Sequence, residues 1–287
     1  MMKKIALVTG ANSGLGKASA TELARRGYHV VMLCRSEQRG REALQEILSK
    51  SGGSAELLLA DLGDMASVAR FCEAYISKYD RLDLLVNCAG VITLDRRETK
   101  DGFELQFGVN HIGHYLLTRN LLPTITRTPG ARIIVVSSGA HKIGKMDFDQ
   151  LDMKRGYSAF AAYGRSKLCN ILFTRELARR LEGTGVTVNS MHPGAVASNI
   201  GIDRDTGFGK TVMRLLRPFF QTPEKAAETL IYLATSDEVS EVTGQYYYRL
   251  QPAKISKRAS DDELARKLWE VSEEIVRPYL ISSLDES

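Results

Sequence analysis

The sequence predicts an α/β fold, a single doubly wound parallel sheet with helices on both faces. Two features carry that prediction. Short aliphatic and β-branched runs recur along the chain, each followed by a longer stretch with helical spacing, which is the signature of βαβ units. The runs are continuously apolar and not alternating, as strands covered on both faces must be. The 287 residues are 44 % hydrophobic and 25 % charged, ordinary for a soluble globular chain that buries its core without disulfides or structural metals.

The elements follow in order. The first strand, 5–8, comes directly after Met1-Met2-Lys3-Lys4. Its apolar run is far too short for a signal-peptide core or a membrane span, so the expected location is cytoplasmic. It leads through a glycine-rich turn into a helix over 16–26. Strand two, 30–33, leads to a helix over 39–50. Strand three, 57–60, precedes a helix over 65–78, and strand four, 84–86, a helical stretch over 103–122. Strand five, 132–136, is followed by a loop-like stretch, 139–156, and a helix over 160–182. Strands six, 186–191, and seven, 245–248, flank a substrate-loop insertion at 197–222. A C-terminal extension, 252–287, carries one further helix around Trp269. With no internal repeat or linker, 1–287 reads as one dinucleotide-binding and catalytic domain.

Charge and cysteines exclude several classes. A net charge of +5 spread along the chain argues against nucleic-acid binding. Cys34, Cys72, Cys88 and Cys169 form no CxxC pair, which fits neither a zinc site nor a disulfide framework and suits a reducing compartment. His111, His114 and His141 lack the companion ligands that a metal site requires.

Four groups carry chemistry. Thr9-Gly10-Ala11-Asn12-Ser13-Gly14-Leu15-Gly16 stands between the first strand and the first helix. Its glycines permit a tight turn and a close pyrophosphate, and the helix start offers free N–H groups. Strand two ends in Cys34-Arg35-Ser36, with a cation where an NAD site places a carboxylate for the ribose. Arg35 can pair with a 2′-phosphate, so NADP(H) is expected over NAD(H), with Lys17 and Arg39 as helpers. Among eleven tyrosines, Tyr163 alone has a lysine four residues on, and on a helix Lys167 shares its face. An ammonium there is expected to lower the phenol pKa towards working pH. Strand five ends in Ser137-Ser138, where a hydroxyl can bond a substrate carbonyl.

With these residues in chain order, the sequence resembles the short-chain dehydrogenase/reductase family, of the Rossmann fold, along essentially its full length. The resemblance implies that Asn87-Cys88-Ala89-Gly90 backs the adenine side and that Asp61-Leu62 meets the adenine. It places Pro193, Gly194 and Val196 along the nicotinamide. It implies a tetrad of Asn110, Ser138, Tyr163 and Lys167, with Ser138 chosen over Ser137 by its interval to the tyrosine. Asn110 would hold a water linking Lys167 to solvent, and Lys167 would also bind the nicotinamide ribose. Gly102-Phe103-Glu104, Asn110-His111-Ile112-Gly113-His114, Ser137-Ser138-Gly139-Ala140-His141, His192-Pro193-Gly194 and Leu268-Trp269-Glu270-Val271-Ser272-Glu273 look similar to the retinol dehydrogenase-like branch.

The expected function is therefore hydride transfer between NADP(H) and a small carbonyl or alcohol, of lipophilic class, with a homo-oligomer implied by the resemblance. The alternative is a catalytically silent NADP-binding sensor or scaffold. A serine hydrolase using Ser138 is disfavoured, since the chain lacks the GxSxG elbow and that reading leaves the glycine-rich turn unexplained. Phe208, Val212, Leu215, Leu216 and Phe219 share a helical face, so 207–220 is expected to form a helix over the substrate.

Overall fold

The computed structural model describes residues 3–194 and 221–281. Within them the strands are β1 (Ile5–Thr9), β2 (His29–Cys34), β3 (Ser54–Leu59), β4 (Leu84–Asn87), β5 (Arg132–Val136), β6 (Thr187–Met191), β7 (Tyr246–Tyr248) and β8 (Gln251–Pro252). They form one sheet in the order β3-β2-β1-β4-β5-β6-β7-β8. β1 to β7 run parallel, as expected. β8 does not: it returns antiparallel on β7 through a two-residue turn in which Arg249 and Leu250 take φ of 50° and 64°. That is a hairpin turn normally signalled by Asn or Gly, so the sequence gives no warning of it.

Residues alternate between two cores. Ile5, Leu7, Val31, Leu85 and Ile133 face one side of the sheet, and Ala6, Val8, Met32, Val86 and Ile134 the other. The second side is covered by α1 (Gly14–Arg25), α2 (Glu37–Ser51) and α6 (Pro223–Thr235), through Leu23, Ile47 and Leu230. The first is covered by α3 (Met65–Lys78), α4 (Gly113–Thr126), α5 (Ala159–Arg180) and α7 (Asp262–Val276). Phe71, Tyr115, Phe173 and Trp269 are their large buried side chains. Full burial of each such side chain is worth about 1.5–3 kcal/mol, so both helical layers are firmly seated.

The stretch expected as one helix over 103–122 is more complex. Glu104 caps a single α turn (Leu105–Phe107), accepting from the Gln106 and Phe107 N–H groups. A π-helical stretch (Gly108–Ile112) follows, closed by the Gly113 N–H on the Gly108 carbonyl, and only then α4. Such π stretches are frequent at functional sites. Here it carries Asn110. Among the described residues no helix is long and apolar enough to cross a membrane. The expected helix at 207–220 lies outside the described residues, as does most of 197–222.

Candidate active site

β1 pairs with β2 on one side and β4 on the other, so the chain reverses its direction of winding at β1. The crevice at the carboxyl ends of strands around such a point is where open α/β sheets bind ligands. A cleft of about 500 Å³ lies there. Its floor is the turn after β1. Gly10 takes φ +68°, and a Cβ on Gly16 would stand 2.5 Å from the Gly10 carbonyl oxygen, so α1 can fold back this tightly only on glycine. α1 then starts at Gly14. Its N-cap Ser13 makes no side-chain capping bond, and Asn12 to Gly16 line the cleft. A helix start with uncapped N–H groups and a partial positive charge is suited to a phosphate.

At the other end the cleft reaches Ser137, Tyr163 and Lys167. The two serines separate cleanly. The Ser137 hydroxyl is buried and donates to the Lys167 carbonyl at 2.7 Å. Ser138 instead accepts from the Ala140 N–H, and its hydroxyl is close enough to the Tyr163 phenol to pull that pKa down. Lys167 is buried, donates to the Val136 carbonyl at 3.1 Å, and lies 5.6 Å from the Tyr163 ring centre. Burial brings its pKa down to about 8.

One electrostatic expectation is corrected. Tyr163 is held above, not below, the ordinary phenol range. Burial is the largest cause and raises it, and the opposing pull comes from the Ser138 hydrogen bond, not from Lys167.

Asn110 is wholly buried. Its Oδ1 accepts from the Val91 N–H at 2.8 Å, while its Nδ2 donates to the Val91 carbonyl and to Ser166 Oγ, both at 3.0 Å. A Cβ on Gly90 would lie 3.5 Å from Asn110 Oδ1 and 3.6 Å from Lys167 Nζ, so these three residues adjoin.

The remaining expected residues divide. Arg35, Arg39, Asp61, Leu62, Ala89 and Gly90 all line the cleft. Arg35 stands 3.8 Å from Asp61, both well exposed. Lys17 is a correction: it pairs with Glu46 of α2 at 2.9 Å on the outer face and does not line the cleft. The helical phase of α1 turns it away from the glycine turn. Asn87 is buried behind the wall, its Nδ2 on Thr118 Oγ1 at 2.9 Å. Gly194 donates its N–H to His192 Nδ1 at 2.9 Å beside Pro193, and Val196 lies outside the described residues. His111 bonds Ser272, and His141 bonds Ser138 and Ser256, so both serve the packing.

Sequence reasoning missed the supports. Asn170 Nδ2 shares the Val136 carbonyl with Lys167. Thr9 Oγ1 accepts from the Cys88 and Ala89 N–H groups at 2.8 and 2.9 Å, tying the glycine turn to the opposite wall. Both are contacts between distant segments, with no local signal.

Comparison with known proteins agrees with this geometry. A family model described as short chain dehydrogenase matches residues 4–207. Human retinol dehydrogenase 14 is 44 % identical over 96 % of this chain and 87 % of its own length. Among solved structures, an uncharacterized protein from Mycobacterium paratuberculosis is 34 % identical, with a TM-score of 0.77 over 96 % of this chain and 93 % of that one. A Beutenbergia cavernae protein described as an NAD(P)-dependent gluconate 5-dehydrogenase, with bound NADP at low occupancy, is 30 % identical. It has a TM-score of 0.66 over 85 % of this chain and 93 % of that one.

Proposed function

The chain belongs to the short-chain dehydrogenase/reductase family, on its retinol dehydrogenase-like branch, and from that position we propose that it uses NADP(H) to interconvert a lipophilic carbonyl compound and its alcohol. The class of chemistry is hydride-transfer oxidoreduction. The observation that carries the reading is Tyr163, with Ser138 beside its phenol and Lys167 against its ring, at one end of a cleft whose other end is a phosphate-type glycine turn.

The residues fit a dinucleotide. The turn Gly10–Gly16 and the start of α1 would hold the pyrophosphate. Arg35 and Arg39 would hold a 2′-phosphate, Asp61 and Leu62 the adenine end, and Lys167 a ribose. Ala89 and Gly90 form the wall between, with Asn87 buried behind it, and Pro193 and Gly194 would flank the nicotinamide. Bound there, the nicotinamide supplies or accepts the hydride.

The protein does the rest. Ser138 donates a hydrogen bond to the substrate oxygen. Tyr163 gives its phenolic proton to that oxygen as negative charge develops on it, or removes it in the reverse direction. Burial raises the Tyr163 pKa further above neutrality, so the phenol holds its proton there and can act as the general acid for reduction. A lipophilic substrate is supported by the exposed Leu94, Ile143 and Phe160. Leu94 lines the cleft, Ile143 packs against Gly164, and Phe160 precedes Tyr163 by one turn of α5. The relative from Beutenbergia, with NADP bound, supports the phosphate reading.

The test is NADPH and NADH consumption by the purified protein against aldehydes and ketones of graded chain length. Turnover with NADPH, rising with chain length, is expected. Preference for short polar carbonyls would remove the lipophilic class. Tight NADPH binding with no turnover across the panel would leave the silent sensor instead.

A further inference from the structure

A buried histidine outside the Ser138–Tyr163–Lys167 group closes a hydrogen-bonded ring between the two ends of the cleft. His114, in the first turn of α4, is almost wholly buried. Its Nε2 lies 2.9 Å from Thr9 Oγ1, at the glycine turn, and its Nδ1 lies 3.2 Å from the Asn110 carbonyl oxygen.

The direction of these bonds follows from their partners. A carbonyl only accepts, so Nδ1 carries the proton. Thr9 Oγ1 already accepts from two backbone N–H groups, Cys88 and Ala89, which occupy its lone pairs. Its single proton can go to His114 Nε2 at 2.9 Å or to the Val86 carbonyl at 3.3 Å. An Nε2–H tautomer would bring a third donor to Thr9 and set a bare Nδ1 against the Asn110 carbonyl. The neutral Nδ1–H form is therefore the one that satisfies every partner. Burial, with Lys167 nearby, brings the imidazole pKa down to about 4 despite the Asn110 hydrogen bond, so the ring is neutral.

The ring of bonds then closes. Thr9 holds Cys88 and Ala89; two residues on, Val91 is gripped at both N–H and carbonyl by the Asn110 side chain. Asn110 also donates to Ser166, the neighbour of Lys167. Donors aligned head to tail strengthen one another in a low-dielectric interior.

We propose that His114 is a positioning residue: as the Nδ1–H tautomer it holds the Asn110 carbonyl in place relative to the glycine turn, and so keeps Asn110, the 88–91 wall and the Lys167 helix in register. The effect on turnover rests on the function proposed above; the tautomer and the clamp on Val91 do not.

The experiment compares His114→Asn, whose amide N–H can take the place of Nδ1–H, with His114→Gln, which reaches Thr9 but not Asn110. Ring-nitrogen NMR of the wild-type protein is expected to show a protonated Nδ1 and a bare Nε2 through neutral pH. Hydrogen exchange at the Val91 amide should accelerate about tenfold in His114→Gln and little in His114→Asn. With a carbonyl substrate, kcat should fall about tenfold in His114→Gln, with the NADPH KM near wild type, and be largely rescued in His114→Asn. A protonated Nε2, or equal Val91 exchange in the two variants, overturns the proposal. If the wild-type protein turns over no substrate, the functional reading fails and the two NMR readouts still decide this one. Should both His114 variants fold poorly, the ring-nitrogen assignment of the wild-type protein still decides the proposal, a protonated Nε2 overturning it.

Discussion

Arg165 and Glu104 meet at 3.4 Å with side-chain exposures of 4 % and 0 %. Arg165 sits between Tyr163 and Lys167 on α5, and Glu104 caps the turn that leads to Asn110. The guanidinium also donates to the Gln150 and Leu151 carbonyls, which fastens the loop before α5. Removing one partner of a buried pair strands the other charge, at a cost of about 3–5 kcal/mol. Glu104→Gln should show that loss in the denaturant midpoint. The double change Glu104→Leu with Arg165→Met should recover only part of it, because it also takes the partners from the Gln106 and Phe107 N–H groups and from the Gln150 and Leu151 carbonyls. An unchanged midpoint in Glu104→Gln would mean that the pair is not isolated from water.

Lys167 should lower stability while serving activity. Its pKa is about 8 in the fold against an ordinary 10.5, so the unfolded chain holds that proton more tightly. The native ammonium therefore costs stability below about pH 8, and the cost fades as pH rises towards 10.5. Lys167→Met should abolish turnover and yet stabilise the protein at pH 7 by on the order of 3 kcal/mol. The Val136 carbonyl keeps Asn170 as a partner, so nothing is orphaned. The gain should shrink at pH 10. An equal gain at both pH values would trace it to packing instead.

Tyr163→Phe keeps the ring and removes the proton donor. Turnover should drop about a hundred- to ten-thousandfold, with NADPH affinity within about twofold of wild type. Because Tyr163 is held above the ordinary phenol range, carbonyl reduction should be flat through neutral pH and fall only in strong alkali. Alcohol oxidation should rise over the same range. Wild-type kcat in the phenylalanine variant would remove Tyr163 from the chemistry.

Arg35 is expected to confer preference for NADP(H). Its contact with Asp61 is 3.8 Å long and exposed, a pair worth little and easily given up to a phosphate. A charge-assisted bond to phosphate is worth about 1.5–3 kcal/mol, so Arg35→Ala should narrow the NADPH:NADH ratio of kcat/KM about ten- to hundredfold. Asp61→Asn should move it slightly the other way. Equal use of both cofactors by the wild-type protein would make Arg35 a surface residue.

What was legible in the sequence was what lies close along the chain. The glycine turn follows from spacing after a strand, and Tyr163 and Lys167 follow from the period of a helix. Ser138 could be separated from Ser137 only by resemblance until the structure showed Ser137 turned to the Lys167 carbonyl. Lys17 misled because nearness to Gly16 in sequence says nothing of helical phase. The β8 hairpin was hidden because Arg249 and Leu250 are not turn residues. His114 carries no local signal of its role; its partner Thr9 lies 105 positions away, and the β1–β4 neighbourhood brings them together.

The C-terminal helix is expected to be part of the catalytic scaffold. Trp269 of α7 lies edge-on to Tyr115 at 5.0 Å and stacks on Phe173 at 6.0 Å. The Arg180 guanidinium covers it at 4.4 Å. Glu273, one turn on, accepts from the Tyr115 hydroxyl at 2.6 Å and from Arg119 at 2.7 and 2.8 Å. α7 thus seals the outer faces of α4 and α5, and α5 carries Tyr163 and Lys167. Trp269→Ala should cost about 3–5 kcal/mol by opening a cavity between three helices. Trp269→Phe, which keeps an aromatic contact, should cost less. Removing 261–287 should uncover Tyr115 and Phe173 together, an apolar patch of the kind that drives association. Light scattering should then report larger assemblies than the full chain forms, with activity lost in parallel. If the shortened chain keeps the size, melting temperature and turnover of the full one, α7 only decorates the fold.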